Sequence, residues 1–142
     1  MSLNLKVAAL VDTGSDFDCI DSDLSQLQIQ RKNSGFVERR LTANVSAKGY
    51  ADGMSAESCY ESDWNVKFTG VATRSKREHT SKIVQATFQE FPSLGDPVII
   101  GMPMLDKFGG MEYDLKSVTI LDLSIPRYYN RKSNAVGRVG SM

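Results

Sequence analysis

The 142-residue chain has the length of one domain and enough residues to bury a core. Its 41% hydrophobic and 24% charged content is that of an ordinary globular protein, and no apolar run approaches the roughly 18 residues of a membrane-spanning helix. Formal net charge is zero, yet positions 125–142 hold Arg127, Arg131, Lys132 and Arg138 with no acid, leaving 13 basic against 17 acidic residues in positions 1–124. A body of net charge −4 argues against nucleic acid as a partner, and the basic end reads as a tail or linker. Residues 1–20 lack the charged, apolar, small-residue order of a secretory signal. Cys19 and Cys59 are too few for a disulfide framework and have no metal-ligand spacing, so two reduced thiols in a cytoplasmic protein are expected, Cys19 within the core.

In chain order, Leu5 to Val11 predicts a strand whose last four residues, Ala8 to Val11, form an unbroken apolar run into Asp12-Thr13-Gly14-Ser15. Such a strand delivers a carboxylate to a place with little water, where it must be hydrogen-bonded, paired or protonated. An Asp-Thr-Gly turn is also an ordinary way to end a strand. Phe17, Cys19 and Ile20 form a second apolar segment among Asp16, Asp18 and Asp21. A calcium loop fails here, because Ile20 stands where a ligand belongs and Asp21 where glycine is required. Asp21 or Ser22 is expected to cap one helical turn through Leu24 and Leu27.

Gln28 to Arg40 reads as polar connection with a turn at Asn33-Ser34-Gly35, and Leu41, Ala43 and Val45 alternate as a half-buried strand. Asp52-Gly53 is a hairpin signal, with a return strand from Met54 towards Tyr60 continued by Trp64, Val66 and Phe68. Residues 70–82 predict a solvated loop containing His79, the one histidine, and Ile83 to Phe91 a further strand. Val98 to Ile100 is a β-branched buried strand ending at Gly101, where backbone must approach something closely. Pro103 opens and Gly109 ends a short helix. Met111–Tyr113 and Val118–Leu123 then predict a last hairpin around Asp114–Ser117. The sum is an all-β barrel or sandwich over 1–124, followed by a basic tail over 125–142.

Two of these stretches together resemble the signatures of retropepsin-like aspartic proteases. Ala9 to Ser15 resembles the catalytic motif, and Val98-Ile99-Ile100-Gly101-Met102-Pro103-Met104-Leu105 the apolar-apolar-Gly-x-x-x-Leu motif near the family's C-terminal end. The continuation through Asp106-Lys107-Phe108, Tyr113-Asp114 and Val118-Thr119-Ile120 is similar to the gypsy-type branch of LTR retrotransposons. In order and spacing the likeness covers residues 5–123. It implies a barrel or sandwich half with a flap hairpin, a short helix near its end, and an active site completed only in a homodimer.

On this resemblance Asp12 is the catalytic acid, Thr13 the hydroxyl that bonds across the dimer, and Gly14 the residue allowing close approach. Tyr50, Ala51, Asp52 and Gly53 fall at the flap tip, and Ile100 and Gly101 at the strand end beside the catalytic loop. Retroviral members carry Arg after the second glycine to pair with an acid near the site. This chain has Met102 there, so Asp16, if it is the matching acid, is free to face substrate. The implied activity is endopeptidase processing of a retrotransposon polyprotein in retrotransposon particles, with a second copy and a polypeptide as partners, no cofactor, no metal and no membrane. The alternative is a catalytically silent module of the same fold that dimerises and holds peptide.

Overall fold

The computed structural model describes residues 6–30, 36–48, 55–75, 77–128 and 138–139. Its elements are β1 (Ala9–Val11), β2 (Cys19–Asp21), α1 (Ser22–Gln30), β3 (Val37–Lys48), β4 (Ser55–Ala72) and β5 (His79–Phe91). They continue with β6 (Val98–Ile100), α2 (Met102–Lys107), β7 (Glu112–Tyr113), β8 (Ser117–Ile120), β9 (Leu123–Tyr128) and β10 (Arg138–Val139). The chain is all-β in class. Among the described residues ten strands join in one sheet of order β3-β4-β5-β2-β6-β1-β10-β9-β8-β7.

The sheet curls into a half-barrel because its longest strand bridges two distant parts of that order. At its far end β4 pairs with β9, Val71 opposite Ser124 and Ala72 opposite Leu123. Gly70 makes this contact possible, since a Cβ there would lie 2.5 Å from the Ser124 carbonyl oxygen. Within the curl sit Phe68, Phe88, Ile100 and Leu123, all fully buried, together with Ile20, Val66, Val98 and Ile120. Phe108 meets Phe68 edge to face at 5.6 Å and brings the end of α2 onto this core. A smaller cluster of Cys19, Phe91, Leu94 and Ile99 takes in Phe17, Leu10 and, from the β3–β4 hairpin, Val45, Ala47 and Ala56.

The short apolar strands lie at the centre. β6 pairs in parallel with β1, Leu10 opposite Ile99, and antiparallel with β2, Cys19 opposite Ile99. A strand buried on both faces needs apolar residues without alternation, which is the pattern of Val98-Ile99-Ile100. The long strands have a solvated face and alternate instead. On that outer face the Arg39 guanidinium forks onto both oxygens of Asp63 at 2.7 Å and reaches Glu61 at 2.9 Å, tying β3 to β4. This guanidinium, with a bond from Thr87, holds the Asp63 carboxyl down at about 2.

Several elements differ from expectation. The single turn after Asp21 is a nine-residue helix, α1, and Asp21 Oδ1 accepts the Asp23 N–H at 2.9 Å as its cap. The helix buries Ser25 and Gln28, polar residues that gave no apolar stripe to read. β3 starts at Val37 inside the supposed polar connection. The alternation expected at Leu41–Val45 is a bulge, with pairing that steps from Arg40–Tyr60 to Val45–Ser58. The expected solvated loop is taken up at both ends by strand, because β4 and β5 extend as a ladder past Thr69–Ser81 to Val71–His79. His79 is exposed, but on a strand. The hairpin from β3 to β4 forms as expected, Lys48 opposite Ser55, and its tip, Tyr50 to Gly53, lies outside the described residues.

At the chain's end, Val118–Leu123 is two strands. Leu121 and Asp122 turn the chain at φ 53° and 59°, so β8 and β9 form a tight hairpin without the usual glycine. The position 124/125 expected to separate domain from tail falls inside β9, where Ile125 is buried opposite Val118. Arg138–Val139 pairs with both β1 and β9, placing this part of the basic segment in the sheet.

Candidate active site

β1 ends at Val11, and Asp12 is the first residue beyond it. Its N–H donates to the Ile100 carbonyl at 2.9 Å, the last rung between the two motif strands. The chain then reverses, the Ser15 N–H donating to the Asp12 carbonyl at 3.1 Å. Inside this turn the Gly14 N–H donates to Asp12 Oδ1 at 2.9 Å, which fixes the carboxylate's rotation. Asp12 is half-buried, while Thr13 and Gly14 are exposed at the crest. Ser15 holds the descending limb, its Oγ donating to the Phe17 carbonyl at 2.7 Å.

The second motif passes directly beneath. Gly101 crosses the loop so closely that a Cβ would lie 2.2 Å from the Phe17 carbonyl oxygen and 2.8 Å from that of Ser15. No side chain fits there, and so the position is glycine. The Met102 N–H donates to the Ser15 carbonyl at 2.9 Å, stitching the start of α2 to the Asp12 loop. Ile100 and Gly101 are buried and carry the loop from below. The two sequence motifs, almost ninety positions apart, thus form one substructure with Asp12 at its exposed end.

Asp16 is exposed in the loop. The acid that meets the second motif is Asp18, only 6% exposed, whose Oδ1 accepts the Gly101 N–H at 2.8 Å and the Met104 N–H at 3.4 Å. Burial pushes its carboxyl up to about 6, against the opposite pull of the two amides. Next to it, the Cys19 thiol is driven up to about 12 by burial first and by the charge of Asp18 second. That thiol is therefore inert at neutral pH. Asp18 escaped the sequence reading because it stands in a run with Asp16 and Asp21, and only the fold separates the three.

A second buried acid lies away from this loop. Glu90 on β5 is 4% exposed and faces Glu38, Ser62 and Ser25 from β3, β4 and α1. Burial first, and the Glu38 carboxyl second, raise Glu90 to about 7. Trp64 Nε1 donates to Ser62 Oγ at 2.8 Å within the same cluster. Among the described residues no three His, Cys, Asp or Glu side chains gather to hold a metal, and no helix is long and apolar enough to cross a membrane.

The arrangement around Asp12 is an oriented carboxylate on an exposed glycine turn, braced by buried strands. Its free carboxylate oxygen can accept hydrogen bonds beside the exposed Thr13 and Gly14. No family model, curated protein or solved structure matches the chain.

Proposed function

We propose that the chain is half of an aspartic endopeptidase of the retropepsin-like type, completed by a second copy and acting on a retrotransposon polyprotein. The observation that carries this reading is Asp12 projecting from the common end of two parallel apolar strands, β1 and β6. Its carboxylate is oriented by Gly14, and Thr13 is exposed beside it. One such aspartate serves each chain, and a two-fold axis through the exposed crest would bring two together, as an isologous dimer requires.

The chemistry follows from electrostatics. Two carboxylates about 3 Å apart cannot both ionise, so the pair shares one proton. The ionised member takes a proton from a water held between them, while the protonated member donates to the scissile carbonyl as the water attacks. A substrate chain lies extended between this loop and the β3–β4 hairpin, its main chain bonded as an added strand. The apolar residues Val45, Ala47 and Ala56 on that hairpin and Phe17 and Leu10 of the Asp12 segment pack against the same buried cluster, Cys19, Phe91, Leu94 and Ile99, which puts the base of the hairpin on the Asp12 side of the sheet.

The test is peptide-library cleavage at mildly acidic pH by wild type and Asp12→Asn, with and without a statine-type inhibitor. Wild type should cut and be inhibited; Asn, nearly isosteric but unable to share the proton, should lose cleavage and keep the fold. Equal cleavage by both proteins refutes the catalytic role of Asp12. Peptide binding without cleavage by wild type would instead make the protein a peptide-holding module.

A further inference from the structure

We propose that Asp18 is a positioning residue for the Asp12 loop: its carboxylate fastens Gly101 and Met104 beneath that loop, and its ionisation tightens the site. This inference rests on the peptidase reading for its effect on rate, but the fastening itself does not. Asp18 leaves the same short segment as Asp12, and its Oδ1 accepts amides from both sides of the β6–α2 junction, Gly101 at 2.8 Å and Met104 at 3.4 Å. The Asp18 backbone is tied as well, its carbonyl accepting the Gln89 N–H at 2.8 Å from β5. One residue thus joins the catalytic segment, the second motif and β5.

Gly101 admits almost no play. Its approach to the Phe17 and Ser15 carbonyls means that any slack at Asp18 moves the backbone on which Asp12 stands. An anion accepts two amide bonds about twice as strongly as a neutral carboxyl does. The neutral form keeps an acceptor oxygen, so protonation loosens the junction without abolishing it.

The surroundings leave this titration to Asp18 itself. From its own segment come Asp12, the exposed Asp16 and the Cys19 thiol, the last held protonated to about 12. β6 and the start of α2 present Val98 to Met104, all uncharged, and Lys107 at the end of α2 donates to the Gln85 carbonyl instead. From β5, Gln89 is neutral and Glu90 faces Ser25, Ser62 and Glu38. Burial and two amides therefore set the midpoint, at about 6.

The experiment compares the full chain with Asp18→Asn, which keeps a carbonyl acceptor and loses the charge. In wild type the backbone amide protons of Gly101 and Met104, followed by NMR, should shift together with a midpoint at about 6, and in Asp18→Asn neither should. The wild-type to mutant ratio of kcat should rise from near one at pH 4.5 to about fivefold at pH 7, with KM unchanged, as expected for a bond that strengthens on ionisation. Amides that stay fixed between pH 4.5 and 8 in a cleaving wild type, or a kcat ratio independent of pH, overturn the proposal. A wild type that cuts nothing while both amides titrate counts against the peptidase and upholds the fastening.

Discussion

Replacing Glu90 by Gln should stabilise the protein above neutral pH and leave it unchanged in acid. Glu90 is 4% exposed, with Glu38 as its charged neighbour and the Ser25 and Ser62 hydroxyls as its bonding partners. Folding moves its carboxyl from an ordinary 4.5 to about 7. Between those values the native protein keeps a proton that the unfolded chain has released, so stability falls as pH rises through this window and levels off above about 7. At 1.36 kcal/mol per pH unit the window sets a ceiling of about 3 kcal/mol. Relaxation of the two carboxyl groups and water entry reduce this to roughly half. Gln has the same size and bonding reach with no charge to bury. Urea unfolding at pH 4.5, 6 and 8, at fixed protein concentration, reads the effect as a change in midpoint at constant m. The mutant should match wild type at pH 4.5 and gain roughly 1–2 kcal/mol at pH 8, below the ceiling that linkage allows. A mutant equally stable or weaker at pH 8, or a difference that does not grow with pH, would show that Glu90 is ionised and satisfied in the fold.

Two substitutions probe the scaffold beneath Asp12. Gly101→Ala should cost about 3 kcal/mol, the upper end of overpacking, because the obstacles at 2.2 and 2.8 Å are backbone carbonyls that cannot swing aside; thermal unfolding measures it. Phe68→Ala removes a fully buried ring that packs on Phe108 and should cost about 3–5 kcal/mol in the same measurement.

The strands that carry Asp12 and Gly101 were legible because burial on both faces leaves an unbroken apolar run, and the short helix because Pro103 and Gly109 bracket it. What stayed hidden had a tertiary cause. α1 docks through Leu24 together with the buried polar Ser25 and Gln28, so its inward face shows one apolar residue and no apolar period. The turn at Leu121-Asp122 puts both residues at positive φ, held in place where the Lys82 ammonium donates to the Leu121 carbonyl; Asp122 suits such a turn, but Leu121 stands where glycine or asparagine is usual and continues the apolar run. The extension of β4 and β5 across the supposed loop places charged residues such as Lys82 on a solvated sheet face, where they resemble loop composition. Asp12, Ile100 and Gly101, which the two motifs single out, lie together in the fold. Asp18 was not singled out, since the partners that distinguish it stand more than eighty residues away.

On the proposal that Asp12 is half of a catalytic pair, the decisive experiment mixes wild type with Asp12→Asn at constant total protein, after re-equilibrating the subunits. If every active site needs two native aspartates, an equal mixture retains about one quarter of the activity, because random pairing makes only that share of dimers fully native. Activity that falls only to one half, in proportion to the wild-type fraction, would mean that each chain works alone and would contradict the account.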